Sequence, residues 1–270
     1  MTATAKSASA PPSARPRKPR TGPGAYLAAL AVIAITVWAA VGIEFDLSPL
    51  WTDLGRGWFI IQEFLQPNWA FIARTVGPWT ETLSIALIAT TVGCTIGLGM
   101  ALLASRVTTA NPVLYRAAKL FLSVVRSLPD VGYGLLFFAL VGAGSLAGIL
   151  ALIMFNIGII AKLTSETIDA VDRGPLEAAD AAGAHALQRA RYVVTPSILP
   201  NYLSYCLYVL ELNIRASVVI GIVGGGGIGA TLSVEFARFN YSNVSAIVVL
   251  LFVVVFSIDL VSQSIRRRLA

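Results

Sequence analysis

Long uncharged, apolar runs alternate along this chain with shorter charged segments. Residues 25–43 and 83–105 carry no charge, and residues 243–258 form a third strongly apolar stretch. About 18 to 20 such residues cross a bilayer core as one helix, so the pattern predicts membrane spans. One stretch is ambiguous. Between Asp130 and Lys162 lie 31 uncharged residues, long for one span and short for two. Gly142, Ala143, Gly144 and Ser145 sit at its middle, as a tight turn would. The expectation is an all-α integral membrane protein of about six transmembrane helices, near 25–43, 81–105, 119–142, 146–166, 198–223 and 243–264.

The basic residues decide the count. With six spans, sixteen of the 20 Lys and Arg fall on the cytoplasmic side. Arg56, Arg74 and Arg238 fall outside, and Arg215 lies within a span. Merging the middle pair inverts everything downstream and leaves the two sides nearly equal. The positive-inside rule therefore selects six spans with both termini cytoplasmic. Composition agrees: 13% of residues are charged, against roughly 25% in soluble domains. The net charge of +6 does not point to nucleic acid, because the bases lie at the ends of apolar runs. Cys94 and Cys206 fall inside apolar segments without metal-ligand spacing and read as small core residues, with no disulfide expected.

Around these spans, residues 1–24 read as a disordered basic cytoplasmic tail and 25–43 as an uncleaved first span. Residues 44–80 read as an external loop, with Trp51, Trp58, Trp69 and Trp79 spaced as interfacial aromatics. Residues 81–268 form the core, interrupted by a long cytoplasmic loop at 162–195. That loop holds Arg173-Gly174-Pro175-Leu176-Glu177-Ala178-Ala179-Asp180-Ala181-Ala182-Gly183. Gly174-Pro175 would start a helix, Glu177 would fall at its third position, and Gly183 would supply the left-handed exit. The helix is of about two turns, smooth and small-residued, and too short to persist alone. It needs something to pack against.

Glu177-Ala178-Ala179, Gly183 and Val193-Val194-Thr195-Pro196 together resemble the EAA loop of ABC-importer permeases. Thr195 departs from the Leu more frequent there. Arg126-Ser127-Leu128-Pro129-Asp130, Leu199-Pro200-Asn201-Tyr202-Leu203-Ser204-Tyr205, Glu211 to Ser217 and Gly221 to Gly229 resemble the phosphonate-uptake branch of that family. The likeness covers roughly residues 80–268. It implies the type I importer permease fold in a bacterial inner membrane. It also implies a transport role without a catalytic site, for phosphonate or a related phosphorus oxyanion such as phosphate or phosphite. Glu177, Ala178, Ala179 and Gly183 would then couple the chain to an ATPase. The implied partners are a second copy of the permease, two ATP-binding subunits and an extracytoplasmic solute-binding protein. No cofactor is expected in this chain, since ATP and Mg2+ would sit on the ATPase subunits.

Gly224, Gly226 and Gly229 satisfy G-x-G-x-x-G, yet no strand precedes them and no acid follows at the right distance, so a dinucleotide site is not expected. They read instead as residues for close helix packing or an outer gate. Glu211 and Arg215 lie four apart within a span, where charges are costly and face a partner or a wet cavity. Either they form a self-satisfying pair, or Arg215 helps line an anion path. Arg126 and Asp130 repeat that spacing, as an interfacial anchor or a second path element. Lys162 and Glu166 read as a boundary pair, and His185 as a surface residue. A membrane-embedded enzyme would need convergent catalytic groups that are missing here. An ion-coupled secondary transporter would leave the EAA-like helix without a task, and an ABC permease for another small solute is the remaining alternative.

Overall fold

The computed structural model describes residues 23–269, and the chain divides into two compact units, Met1–Gly57 and Trp58–Ala270. The basic tail expected at 1–24 lies outside the described residues except for Pro23 and Gly24, which open the first helix. In the first unit, α1 (Pro23–Gly42) buries none of its residues, and Leu27, Ile33 and Trp38 are all exposed. A helix apolar on every side is stable only with hydrocarbon or another chain around it.

Further along, α2 (Leu54–Phe64) and the turns Trp69–Ile72 and Ala73–Thr75 lead into α3 (Val76–Leu103). The stretch expected as a loop at 44–80 is thus helical over much of its length, and the helix that carries the expected second span begins at Val76. Asp53, Arg56 and Glu63 interrupt any long uncharged run, so charge counting reads a loop. A short helix needs no such run when its end is tethered. Here Ser242 Oγ donates to the Glu63 carbonyl at 3.2 Å, and Asn68 Nδ2 donates to Asn243 Oδ1 at 2.9 Å.

The span expected at 119–142 is broken. It consists of α4 (Pro112–Val125) and α5 (Asp130–Val141), bent by 88°. Leu128-Pro129 is the cause: a residue before proline is pushed out of the helical region, and Pro129 sits extended at ψ 158. The turn expected at Gly142–Ser145 is present. Gly142 (φ 86) ends α5, and α6 (Ser145–Asp169) starts three residues later. Then follow α7 (Arg173–Ala181), α8 (Thr195–Ile220), α9 (Gly227–Ala237) and α10 (Tyr241–Leu269). Among the described residues, five helical stretches are long and apolar enough to cross a membrane, and the bent pair taken as one makes six.

The centre of the second unit is the seam between α3 and α6. Ala89, Gly93, Gly97 and Ala101 recur every fourth residue on α3 and are buried. A Cβ on Gly93 would lie 2.6 Å from Asn156 Cβ, and one on Gly97 would lie 2.8 Å from Ile160 Cγ2. In lipid no hydrophobic force drives helices together, so close backbone approach and interhelical hydrogen bonds must do it. Asn156 Nδ2 donates to the Ala89 carbonyl at 3.0 Å, and Asn213 Nδ2 donates to Thr90 Oγ1 at 2.7 Å. These bonds tie α3, α6 and α8 together in a layer with no exposure at either Asn. Cys94 and Cys206 are free and share an apolar cluster with Ile160 and Val209.

Candidate functional site

The surface of the EAA-like segment is built around one anchor. Leu176 is the buried residue of α7, packed with Ala101, Ala104, Ile168 and Val194. Its neighbours Glu177 and Ala178 are exposed, and Ala179 is half-buried. The start differs from the sequence expectation. Asp172 is the N-cap, with its carboxylate accepting from the Gly174 N–H at 3.2 Å, so Pro175 takes the third position and Glu177 the fifth. Asp172 wins because its short carboxylate reaches the free N–H groups two residues on, which leaves the Glu177 side chain directed outward.

The exit is as expected. Gly183 has φ 78 and donates to the Asp180 carbonyl at 3.0 Å, while Ala184 N donates to Ala179 at 3.0 Å. This pair of bonds is a Schellman closure, and the positive φ favours glycine. Beyond it, Arg189 Nη1 donates to both carboxylate oxygens of Asp180 at 3.0 and 3.1 Å. His185 caps the next turn, its Nδ1 accepting from Gln188 N at 3.4 Å. A depression of about 320 Å³ lies beside α7, lined by Arg106, Asp169, Arg173, Glu177 and Asp180 among others. The element is thus pinned from beneath and at both ends, with its small-residue face open.

The charges within the spans behave differently from one another. Arg126 and Asp130 fall on opposite sides of the α4–α5 bend and form no ion pair among the described residues. The break at Pro129 removes the helical register that would have brought them together. Arg126 is exposed, with its aliphatic stem over Gly158, where an added Cβ would meet Cγ at 3.0 Å. Lys162 and Glu166 do pair, as their spacing predicts. Glu211 and Arg215 also pair, Arg215 Nη2 donating to Glu211 Oε1, with Glu211 buried and the Arg215 side chain 51% exposed.

Sequence reasoning missed the rest of this cluster. Arg266 Nη2 on α10 stands 3.6 Å from the other Glu211 oxygen and 3.7 Å from Asp259 Oδ1. Arg266 reads from sequence as part of a terminal basic run, and only α8–α10 packing shows otherwise. A cavity of about 400 Å³ opens beside the cluster, lined by Glu211, Arg215, Asp259, Val255 and Phe256 among others.

At the far end of α8 the chain reverses through Gly221–Gly225 and returns as α9, a helix that the apolar pattern does not reveal. Gly224 and Gly226 have φ of 110 and 81. Gly224 faces the Phe138 ring, and its carbonyl accepts from Gly144 N at 2.8 Å; Gly226 lies against Glu81 and Ser145. Gly229 meets the end of α8, where a Cβ would lie 2.0 Å from the Val218 carbonyl oxygen. Ile228 N donates to Thr82 Oγ1 at 2.7 Å, closing the seam onto α3. The geometry shows close packing at all three glycines.

The arrangement has known counterparts. The family profile described as "Binding-protein-dependent transport system inner membrane component" matches residues 93–270. The phosphite transport system permease protein PtxC of Stutzerimonas stutzeri is 32% identical over 87% of this chain and 85% of its own length. The phosphate-import permease protein PhnE of Mycolicibacterium smegmatis is 34% identical over 70% of this chain and 36% of its own. Among solved structures, an inward-facing form of the MetNI methionine ABC transporter aligns with a TM-score of 0.67 and 25% identity. That alignment covers 75% of this chain and 99% of the other. A membrane-spanning helical core, a pinned small-residue helix between spans and these matches lead to one assignment: the chain belongs to the family of binding-protein-dependent transport system inner membrane components.

Proposed function

We propose that this chain is the permease subunit of an ATP-driven importer carrying a phosphorus oxyanion: phosphonate, phosphate or phosphite. The single observation that carries the coupling part is α7. It is a nine-residue helix, too short to hold itself, yet anchored by Leu176 and closed by Gly183 with Glu177, Ala178 and Ala179 at its open face. Such a helix has the shape to seat in a cleft on an ATPase subunit. The substrate class follows from the phosphite and phosphate relatives and from the guanidinium within α8. ATP and Mg2+ belong on the partner ATPases, and both termini of the permease belong in the cytoplasm.

In this reading two permease copies rock together as two ATPases close and open. An extracytoplasmic binding protein delivers the anion to the outer mouth. Gly224, Gly226 and Gly229 form the seam that has to yield there, and Arg215 offers a fork-shaped donor along the path. Arg126 is the second positive charge available nearer the cytoplasm.

The test is uptake into proteoliposomes holding the permease, its ATPase and its binding protein. Phosphite, phosphate or methylphosphonate should enter only with ATP inside the vesicles' ATPase compartment and binding protein on the other side. Uptake driven by a proton or sodium gradient without ATP would refute the importer reading. A reporter fused after Ala270 and found outside the cell would refute the orientation.

A further inference from the structure

The Glu211 carboxylate is held between two guanidiniums from different helices. Oε1 accepts from Arg215, and Oε2 stands 3.6 Å from Arg266 Nη2. Each guanidinium carries five N–H donors. Arg215 commits one of them, to Glu211. Among the described residues Arg266 makes no hydrogen bond at all, since its two carboxylate neighbours lie at 3.6 and 3.7 Å. Two forks with nearly all their donors free thus converge on a single carboxylate. Glu211, Arg215 and Asp259 line a cavity of about 400 Å³ together with Val255 and Phe256, and Arg266 adjoins that lining through Glu211 and Asp259.

Both guanidiniums keep some exposure, 51% for the Arg215 side chain and 27% for that of Arg266, so their remaining donors are open to a ligand. The formal charges of the cluster also cancel: Arg215 and Arg266 against Glu211 and Asp259. Resting on the oxyanion reading above, we propose that Arg215 and Arg266 form an anion subsite and that Glu211 is its built-in competitor. A phosphorus oxyanion presents several acceptor oxygens in place of two, and so can bridge both forks. To bind, it displaces the Glu211 carboxylate; to leave, it is displaced in turn. With Glu211 in place the subsite is formally neutral, and its hold on the anion stays weak enough for release. Arg266 therefore acts as an anion-binding residue rather than as part of the terminal basic run. Asp259, 3.7 Å from the same guanidinium, is a second carboxylate competing for it; its Oδ2 accepts from Gln263 Nε2 at 2.9 Å.

The distinguishing consequence is a sign. Removing the competitor should tighten binding, whereas removing half of a structural ion pair should weaken everything. Glu211→Gln removes one negative charge a few ångströms from the bound anion and should tighten binding of radiolabelled inorganic phosphate about tenfold or more. The assay uses the assembled permease–ATPase complex in lipid nanodiscs, without binding protein. Uptake into proteoliposomes should fall in the same variant, because release slows. Arg266→Gln should weaken phosphate binding about tenfold, with the complex still assembled. Asp259→Asn supplies a second route should Glu211→Gln fail to fold. It frees Arg266 from one of its two carboxylates and should also tighten binding. Binding unchanged or weaker in both carboxylate variants overturns the competitor role, and phosphate affinity unaffected by Arg266→Gln overturns the subsite. A wild-type complex that assembles yet imports none of phosphate, phosphite or methylphosphonate overturns the substrate reading and this proposal with it. Intact wild-type import with unaltered variant binding overturns the proposal alone.

Discussion

Truncating Leu176 tests whether α7 is a docked lever or a loosely held surface turn. Leu176 is 9% exposed and is the buried residue of the nine that form the helix. Leu→Ala removes three carbons, worth about 0.8 kcal/mol each in burial, or about 2.4 kcal/mol. A surface helix can settle into part of the cavity, so about 2–3 kcal/mol of local stability should be lost. Helices under roughly 12 residues have no stability of their own to draw on. The open population of α7 should therefore rise by about 30- to 150-fold. Hydrogen exchange across residues 174–183 reads this directly, since local opening sets exchange there. Binding-protein-stimulated ATP hydrolysis should fall in the assembled transporter, while basal hydrolysis should persist. Leu187→Ala, at a side chain 73% exposed, serves as the control and should change neither. Exchange in Leu176→Ala as slow as in wild type would refute the idea that this residue holds the helix in place.

Gly183→Val should cost about 1–2 kcal/mol, because a β-branched side chain is strained at φ 78; uptake should be lost, and normal uptake would detach the closure from coupling. Gly229→Ala puts a carbon 2.0 Å from the Val218 oxygen, so α9 must shift and assembly yield should drop, with about 1–3 kcal/mol lost by thermal unfolding. An unchanged melting temperature would mean that the seam is looser than described. Arg215→Lys keeps charge without the fork and should retain partial uptake, whereas Arg215→Met should retain almost none, with ATPase binding intact in both. Uptake restored to near wild type in Glu211→Gln with Arg215→Met would make the pair structural and remove Arg215 from the path.

Local features of the sequence were enough for several elements. A bilayer demands runs of about 20 uncharged residues, and α1, α3 and α10 announce themselves that way, whereas α6 and α8 carry charges and needed the positive-inside count. The Gly142–Ser145 turn, the Lys162–Glu166 pair and the Gly183 exit are equally local, each fixed by chemistry within a few residues. The bend at Leu128-Pro129 was legible too, since proline restricts its predecessor, but the charge count at 119–142 masked it. Other features depended on distant partners. The start of α7 went to Asp172 rather than to the Gly174-Pro175 signal, because two nearby capping chemistries competed and reach decided. The helix α9 exists where close approach to α8 is possible, at glycines whose role depends on what packs above them. Arg266 joins Glu211 across 55 positions of chain. Hydropathy and helical spacing report which residues leave water and which share a face. They do not report which faces meet, because that depends on the fit of side chains from helices far apart in the chain, and only the tertiary structure decides it.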